Sequence, residues 1–212
     1  LAGSAAAAVL TLAAADAQTL VANYELDEQS GLVAPDSLCG GSPGAWSGGF
    51  KLDQPAAAVG TARSAFLDGI DGHALVPNTP VLDALRSDFT IAAWVKPTTF
   101  KTWERVFGNQ QSWAFGLQND RILFTTRGIK DYISAPAAPL NTWTHIAVVF
   151  DSAFAANFYR NGQLLGTTPG AAPSNAPLPD WFVGAKDATA TSGEPFAGYI
   201  DAIQIYKGSL PA

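Results

Sequence analysis

The chain has 212 residues, with 12 basic and 18 acidic side chains for a formal net charge of −6, 11% aromatic residues, 20 Gly, 14 Pro, one Cys and no Met. That length suits one large all-β domain, and the mixture suits short strands joined by tight turns rather than a disordered chain. Thinly scattered Lys and Arg argue against a nucleic-acid surface or an anionic membrane as partner, a lone cysteine excludes an internal disulfide, and no Cys/His cluster supplies a structural zinc site.

In chain order, the first stretch is "LAGSAAAAVLTLAAADAQ", an Ala-rich apolar run that closes on Ala15-Asp16-Ala17. This small-x-small pattern resembles the end of a secretory signal and points to a secreted or cell-surface protein. The run is too short and too weakly hydrophobic for a membrane-spanning helix, which needs about twenty predominantly apolar residues. If retained, residues 1–19 form a segment of their own. Val9 to Leu12 would then pair with the open sheet edge of a neighbouring copy, and head-to-tail repetition builds a filament or pilus-like fibre.

From Leu20 to the end a single domain is expected, because short apolar stretches alternate with turn residues and no window sustains a helical period. Strands are predicted at 20–26, 64–67, 73–76, 89–96, 105–109, 113–118, 121–126, 142–151, 157–160, 163–166, 181–185 and 199–206, about twelve in all. Residues 40–55 read as a long Gly-rich connection, "TPVLDALRSD" as one helical turn, and "APAAPLN" and 169–179 as Pro-rich surface connections. Asn161-Gly162 sits between two strand-like arms and supplies the positive φ angles of a type I′ hairpin.

The stretch "FAGYIDAIQIYKG", Phe196 to Gly208, poses the sharpest question. A repeat of two puts Tyr199, Asp201, Ile203 and Ile205 on one face, so Asp201 shares a surface with core residues. An ionised carboxylate without a partner there must neutralise, find a cation or bind a metal.

Four stretches in this order, "SAFLDGIDGHALVP", "DFTIAAWVKP", "NTWTHIAVVFD…NFYRNGQLLG" and "FVGA…FAGYIDAIQIYKGSL", resemble the laminin-G-like branch of the concanavalin A-like lectin/glucanase superfamily. The resemblance spans Leu20 to Leu210. It implies a jelly roll of two antiparallel sheets packed face to face, often with a structural calcium ion near one edge. It places Asp201 of "GYIDAIQIY" and Asp36 of "YELDEQSGLVAPDS" in the ligand positions, with Asp27 or Asp68 as further candidates; six to eight oxygens are needed, the rest from backbone carbonyls and water. The competing reading for Asp201 is a carboxylate satisfied by backbone N–H groups alone.

The same superfamily contains glucanases, whose retaining members carry E-x-D-x-x-E. Here "ELDEQS" supplies Glu25 and Asp27 but Ser30 in the third position, and no other spacing suggests a carboxylate pair about 5 Å apart. His73 and His145 read as framework residues, and Cys39 as a buried free thiol. The chain is therefore expected not to be an enzyme. Recognition of a glycan or another surface component would rest on exposed aromatic faces with amides reading hydroxyls. Trp94 and Trp143 fall inside framework motifs and are assigned to the core. Trp46, Trp103, Trp113 and Trp181 lie in or beside loops; Trp103 and Trp46 are the leading candidates, with Asn109 and Trp113 of "GNQQSW" beside them.

Overall fold

The computed structural model describes residues 18–57, 60–174, 179–189 and 191–208. The apolar run over residues 1–17 and part of the 169–179 loop lie outside these; Thr19 already belongs to the first strand. The elements are β1 (Thr19–Tyr24), β2 (Val33–Ala34), β3 (Gly44–Ser47), β4 (Phe50–Pro55), β5 (Arg63–Asp68), β6 (His73–Val76), α1 (Pro80–Asp83), β7 (Phe89–Pro97), β8 (Glu104–Gly108), β9 (Trp113–Gln118), β10 (Arg121–Thr126), β11 (Lys130–Pro136), β12 (Thr144–Phe150), β13 (Ala156–Arg160), β14 (Gln163–Thr168), β15 (Trp181–Val183), a 3₁₀ turn (Thr191–Gly193) and β16 (Ala197–Lys207). The fold is all-β, as expected.

The first sheet runs β14-β13-β12-β7-β16-β5-β4, with β1 also paired to β16; the second runs β11-β10-β9-β8-β15-β6-β3-β2. All strand pairs are antiparallel. In β7 the alternation is clean: Phe89, Ile91, Ala93 and Val95 join the core, which leaves Thr90, Ala92, Trp94 and Lys96 on the outer face. Trp113 sits at the centre of the core, its ring 4.6–6.1 Å from those of Trp181, Phe89, Phe107 and Phe124. Its indole N–H donates to the Leu85 carbonyl at 2.8 Å, so the polar end is satisfied while the ring is removed from water.

All twelve predicted strands are present, and the total is sixteen. The missed ones are β2, β3, β4 and β11. Three of them fall around the stretch read as a Gly-rich connection, where Gly44, Trp46, Phe50 and Leu52 alternate inward through strands only two to six residues long. The fourth, β11, lies at a sheet edge, where its terminal Pro136 costs no ladder bond. The Asn161-Gly162 hairpin forms with φ of 48° and 78°, pairing Arg160 with Gln163. Thr79 caps α1 by accepting the Leu82 N–H. Cys39 is exposed rather than buried.

One side of β16 changes neighbour along its length. Residues 197–200 pair with β5 and residues 203–207 with β1. At the changeover the register against β7 shifts between Asp201 and Gln204, and Ala202 takes φ 47°. This bulge adds a residue and breaks the repeat of two. Ile200, Ile203 and Ile205 all face the core, whereas Tyr199 and Asp201 face outward. Asp201 therefore does not share a surface with Ile203 and Ile205. It is still 0% exposed, because it occupies the gap between the end of β1 and the start of β5.

Candidate functional site

The four carboxylates expected to hold calcium do not converge. Asp36 accepts the N–H groups of Asn23 (3.1 Å), Leu38 (3.1 Å) and Ser42 (3.3 Å). Asn23 lies on β1, whose other edge carries β16, so β1 separates Asp36 from Asp201 by two strand spacings, roughly 10 Å. Asp68 accepts from Ile70, Asp71 and Gly72. Burial pushes its pKa up, but these three bonds and the Lys101 charge outweigh that and hold it below the usual value. Asp36 and Asp68 thus each close their own loop. Among the described residues no three His, Cys, Asp or Glu side chains gather in a metal-binding group.

Asp27 and Asp201 do belong together. Asp27 accepts the N–H groups of Ala62 (3.0 Å) and Arg63 (2.7 Å) at the start of β5. Asp201 accepts the Ala57 N–H at 2.9 Å through Oδ2. Burial pushes Asp201 up to about 6, bonds from Ala57 and Thr61 oppose it, and the Asp27 charge adds to the rise. Buried Asp201 Oδ1 and Glu28 Oε2 have no hydrogen-bond partner. Burial and the Asp27 charge raise both carboxyls, and acceptor atoms without donors, where negative charge is penalised, are of the chemistry that an oxygen-seeking cation takes.

The aromatic candidates sort differently from their positions in the sequence. Trp46 is 4% exposed and stacked on Phe50 at 5.2 Å, and Trp113 and Trp181 are core residues. None of the three offers a face to a ligand, because β3, β9 and β15 turn these rings inward. Asn109 is also buried: its Oδ1 accepts the N–H groups of Gln111 (2.9 Å) and Ser112 (2.8 Å), so it shapes the β8–β9 turn instead of meeting a ligand. Trp103 is half-buried on the outer face of the second sheet, over the Arg105 guanidinium at 5.7 Å. Conversely Trp94 and Trp143, assigned to the core, are half-buried on the outer face of the first sheet, against His145 (5.4 Å) and Tyr199 (6.1 Å). Burial lowers the His145 pKa.

What the Asn109 turn presents is a cleft of about 340 Å³ on the outer face of the second sheet, lined by Gln110, Gln111, Asp180, Phe182, Asp187 and Thr189 among others. Phe182 points outward because its neighbours Trp181 and Val183 point inward; its ring packs on His73 at 5.6 Å and the residue is 7% exposed, so only the ring's edge reaches the cleft. Gln110 and Gln111 are exposed. The two carboxylates are anchored to backbone: Asp187 accepts the Thr189 N–H of its own loop at 2.8 Å, and Asp180 accepts the N–H of Asn78, in the connection after β6, at 3.0 Å. An aromatic edge flanked by paired amides and carboxylates can pack on a sugar ring and read its hydroxyls.

The family model Laminin_G_3, of the concanavalin A-like lectin/glucanases superfamily, matches residues 68–212. No curated protein sequence matches the chain. Domain 4 of AbnA, an extracellular GH43 arabinanase of Geobacillus stearothermophilus solved with arabinotriose, is similar at 21% identity and TM-score 0.66, over 92% of this chain and 95% of that one. The binding domain of Paraclostridial Mosquitocidal Protein 1 aligns at 16% identity and TM-score 0.65, over 91% of this chain and 49% of its own. Trypanosoma rangeli sialidase, solved with sialic acid, aligns at 13% and 0.65, over 91% and 31%. At these identities the likeness is one of fold. With more than half of its length matched, the chain belongs to the Laminin_G_3 family of the concanavalin A-like lectin/glucanases superfamily.

Proposed function

We propose that the protein is an extracellular, non-catalytic carbohydrate-binding module whose sugar sits in the cleft beside Phe182. The observation that carries this reading is the cleft itself: two exposed amides, two anchored carboxylates and an outward aromatic ring, built on rigid strands. The solved structure of the AbnA domain with arabinotriose supports a sugar as ligand. The carboxylates of the described residues support a binding role over a catalytic one. Asp180 and Asp187 hold backbone N–H groups, and the three glutamates with shifted proton affinity lie elsewhere: Glu28 beside Asp27, Glu104 in a 0% exposed bond and Glu194 in ion pairs. Titrating arabinotriose and then a glycan array against the wild type and the Gln110→Ala/Gln111→Ala double variant tests the site. Loss of about tenfold in affinity is expected, the worth of one or two hydrogen bonds. Unchanged binding would move the sugar out of the cleft.

A calcium ion at the β1–β5 gap accompanies this reading. Asp201 and Asp27 would supply carboxylate oxygens, and loop carbonyls and water the remainder; Asp36 and Asp68 take no part. Calcium added to chelator-treated protein should raise the melting temperature by mass action, and Asp201→Asn should abolish the rise. A wild type indifferent to calcium leaves Asp201 as a proton-binding carboxyl.

A further inference from the structure

The outer face of the first sheet carries a feature that no part of the cleft uses. Lys51 pairs in register with Phe66, Phe66 with Tyr199, and Tyr199 with Lys96, on four adjacent strands. At the strand spacing of about 4.8 Å the row is roughly 14 Å long. Its side chains touch in turn: the Lys51 ammonium lies 5.7 Å from the Phe66 ring centre, Phe66 and Tyr199 rings are 5.1 Å apart, and the Lys96 ammonium lies 5.0 Å from Tyr199. Trp143 extends it, 6.1 Å from Tyr199. These residues face outward because Leu67, Ile200 and Val95 beside them face the core. The three rings and Lys96 are half-buried, and Lys51 is exposed.

We propose that this row is a second ligand surface, for a short acidic glycan whose uronate carboxylates meet Lys51 and Lys96 while its rings stack on Tyr199 and Trp143. The argument is charge complementarity. Among the described residues the salt bridges engage Arg63, Arg86, Arg105, Arg127 and Lys186, and neither Lys51 nor Lys96 has a carboxylate partner. Both ammonium groups rest on ring faces alone, an attraction that an arriving carboxylate outbids. The net charge of −6 does not forbid this. At physiological salt the screening length is about 8 Å, so the two nearby ammonium groups, not the whole chain, set the local attraction. A neutral sugar would use the rings and waste the charges, and so fits less well.

The test is calorimetric titration of the full chain with oligogalacturonate and with its methyl ester, at low and high salt. The acidic form should bind and the ester should bind at least about tenfold more weakly, with the difference closing at high salt. Lys51→Ala/Lys96→Ala should reduce uronate binding about tenfold and flatten its salt dependence, and Tyr199→Ala should weaken both forms. Gln110→Ala/Gln111→Ala should leave uronate binding unchanged, which separates this surface from the cleft. Equal binding of acid and ester, full binding by the double lysine variant, or binding only to anionic phospholipid vesicles would each overturn the proposal.

Discussion

Both sheets set cations against aromatic rings on their outer faces, yet the two arrangements do opposite things. On the second sheet Arg105 lies beneath Trp103 but is 1% exposed. It is ion-paired with Glu194, and its guanidinium also donates to Thr125 Oγ1 at 3.1 Å. Arg127 and Lys186 approach the same Glu194 carboxylate at 3.6 and 2.7 Å. On the first sheet Lys51 and Lys96 rest on rings, and among the described residues neither is in an ion pair. Burial explains the contrast. A charge taken out of water must find its counter-charge inside the protein, whereas one left at the surface is held by a ring and by solvent. The residue types are alike, and depth decides whether a cation serves the fold or a ligand.

The largest effect should come from breaking the buried side. Glu194 neutralises three cations at once; burial alone would raise its pKa, but Arg105 and Lys186 hold it below the usual carboxylate value. Glu194→Ala leaves Arg105 buried and uncompensated, which should cost about 3–5 kcal/mol. Urea unfolding reads this directly. A loss under 1 kcal/mol would mean that water reaches the guanidinium and that the face is less buried than its geometry shows.

A second test sharpens the comparison through pH. Glu104 neighbours Arg105 in sequence but points away from that network; its Oε1 accepts the Ala197 N–H at 2.9 Å, and buried Oε2 has no partner. Burial pushes it up to about 7 against opposition from the Ala197 bond and the Lys101 charge. A carboxyl with its folded pKa above the unfolded one stabilises fully below pH 4.5, and that contribution drains away as pH rises through 7. Asp201, raised to about 6, acts in the same direction. Stability should therefore fall between about pH 4 and pH 7 and level off above that. Glu104→Gln should flatten the fall and raise stability at pH 8 by roughly 2–3 kcal/mol. An unchanged slope in melting experiments would assign the titration elsewhere.

The strands were legible because their alternation is strong; β6, β9 and β10 fall on the predicted boundaries, since turn residues bracket runs such as "WAFGLQ". The faces were less so. Trp94 sits in a motif and looks like core, yet its parity in β7 turns it outward. Trp46 lies in a Gly-rich stretch and looks exposed, yet β3 turns it inward. Parity is fixed by register, and register is a property of the partner strand. Asp201 was misplaced for the same reason. Nothing in "YIDAIQI" marks Ala202 as the bulged residue, because the cause is the change of neighbour from β5 to β1. The Gln110–Gln111 cleft was half legible: "GNQQSW" was singled out, but the ligand-binding candidates named in it, Asn109 and Trp113, are a turn-former and a core residue, and the exposed amides are those of Gln110 and Gln111.

The smallest predicted effect is the most discriminating for the open face. Lys96→Ala removes a cation that rests on Tyr199 at 5.0 Å and has no carboxylate partner among the described residues. Exposed cation–π contacts are worth about 0.5–1 kcal/mol, and an alanine left in a strand gives part of that back in side-chain entropy no longer lost. The expected change in unfolding free energy is therefore below about 0.5 kcal/mol, against several for Glu194→Ala. A cost above 1 kcal/mol would show that Lys96 packs as part of the fold, and the row would then be a second version of the Arg105 network instead of a surface kept free for a ligand.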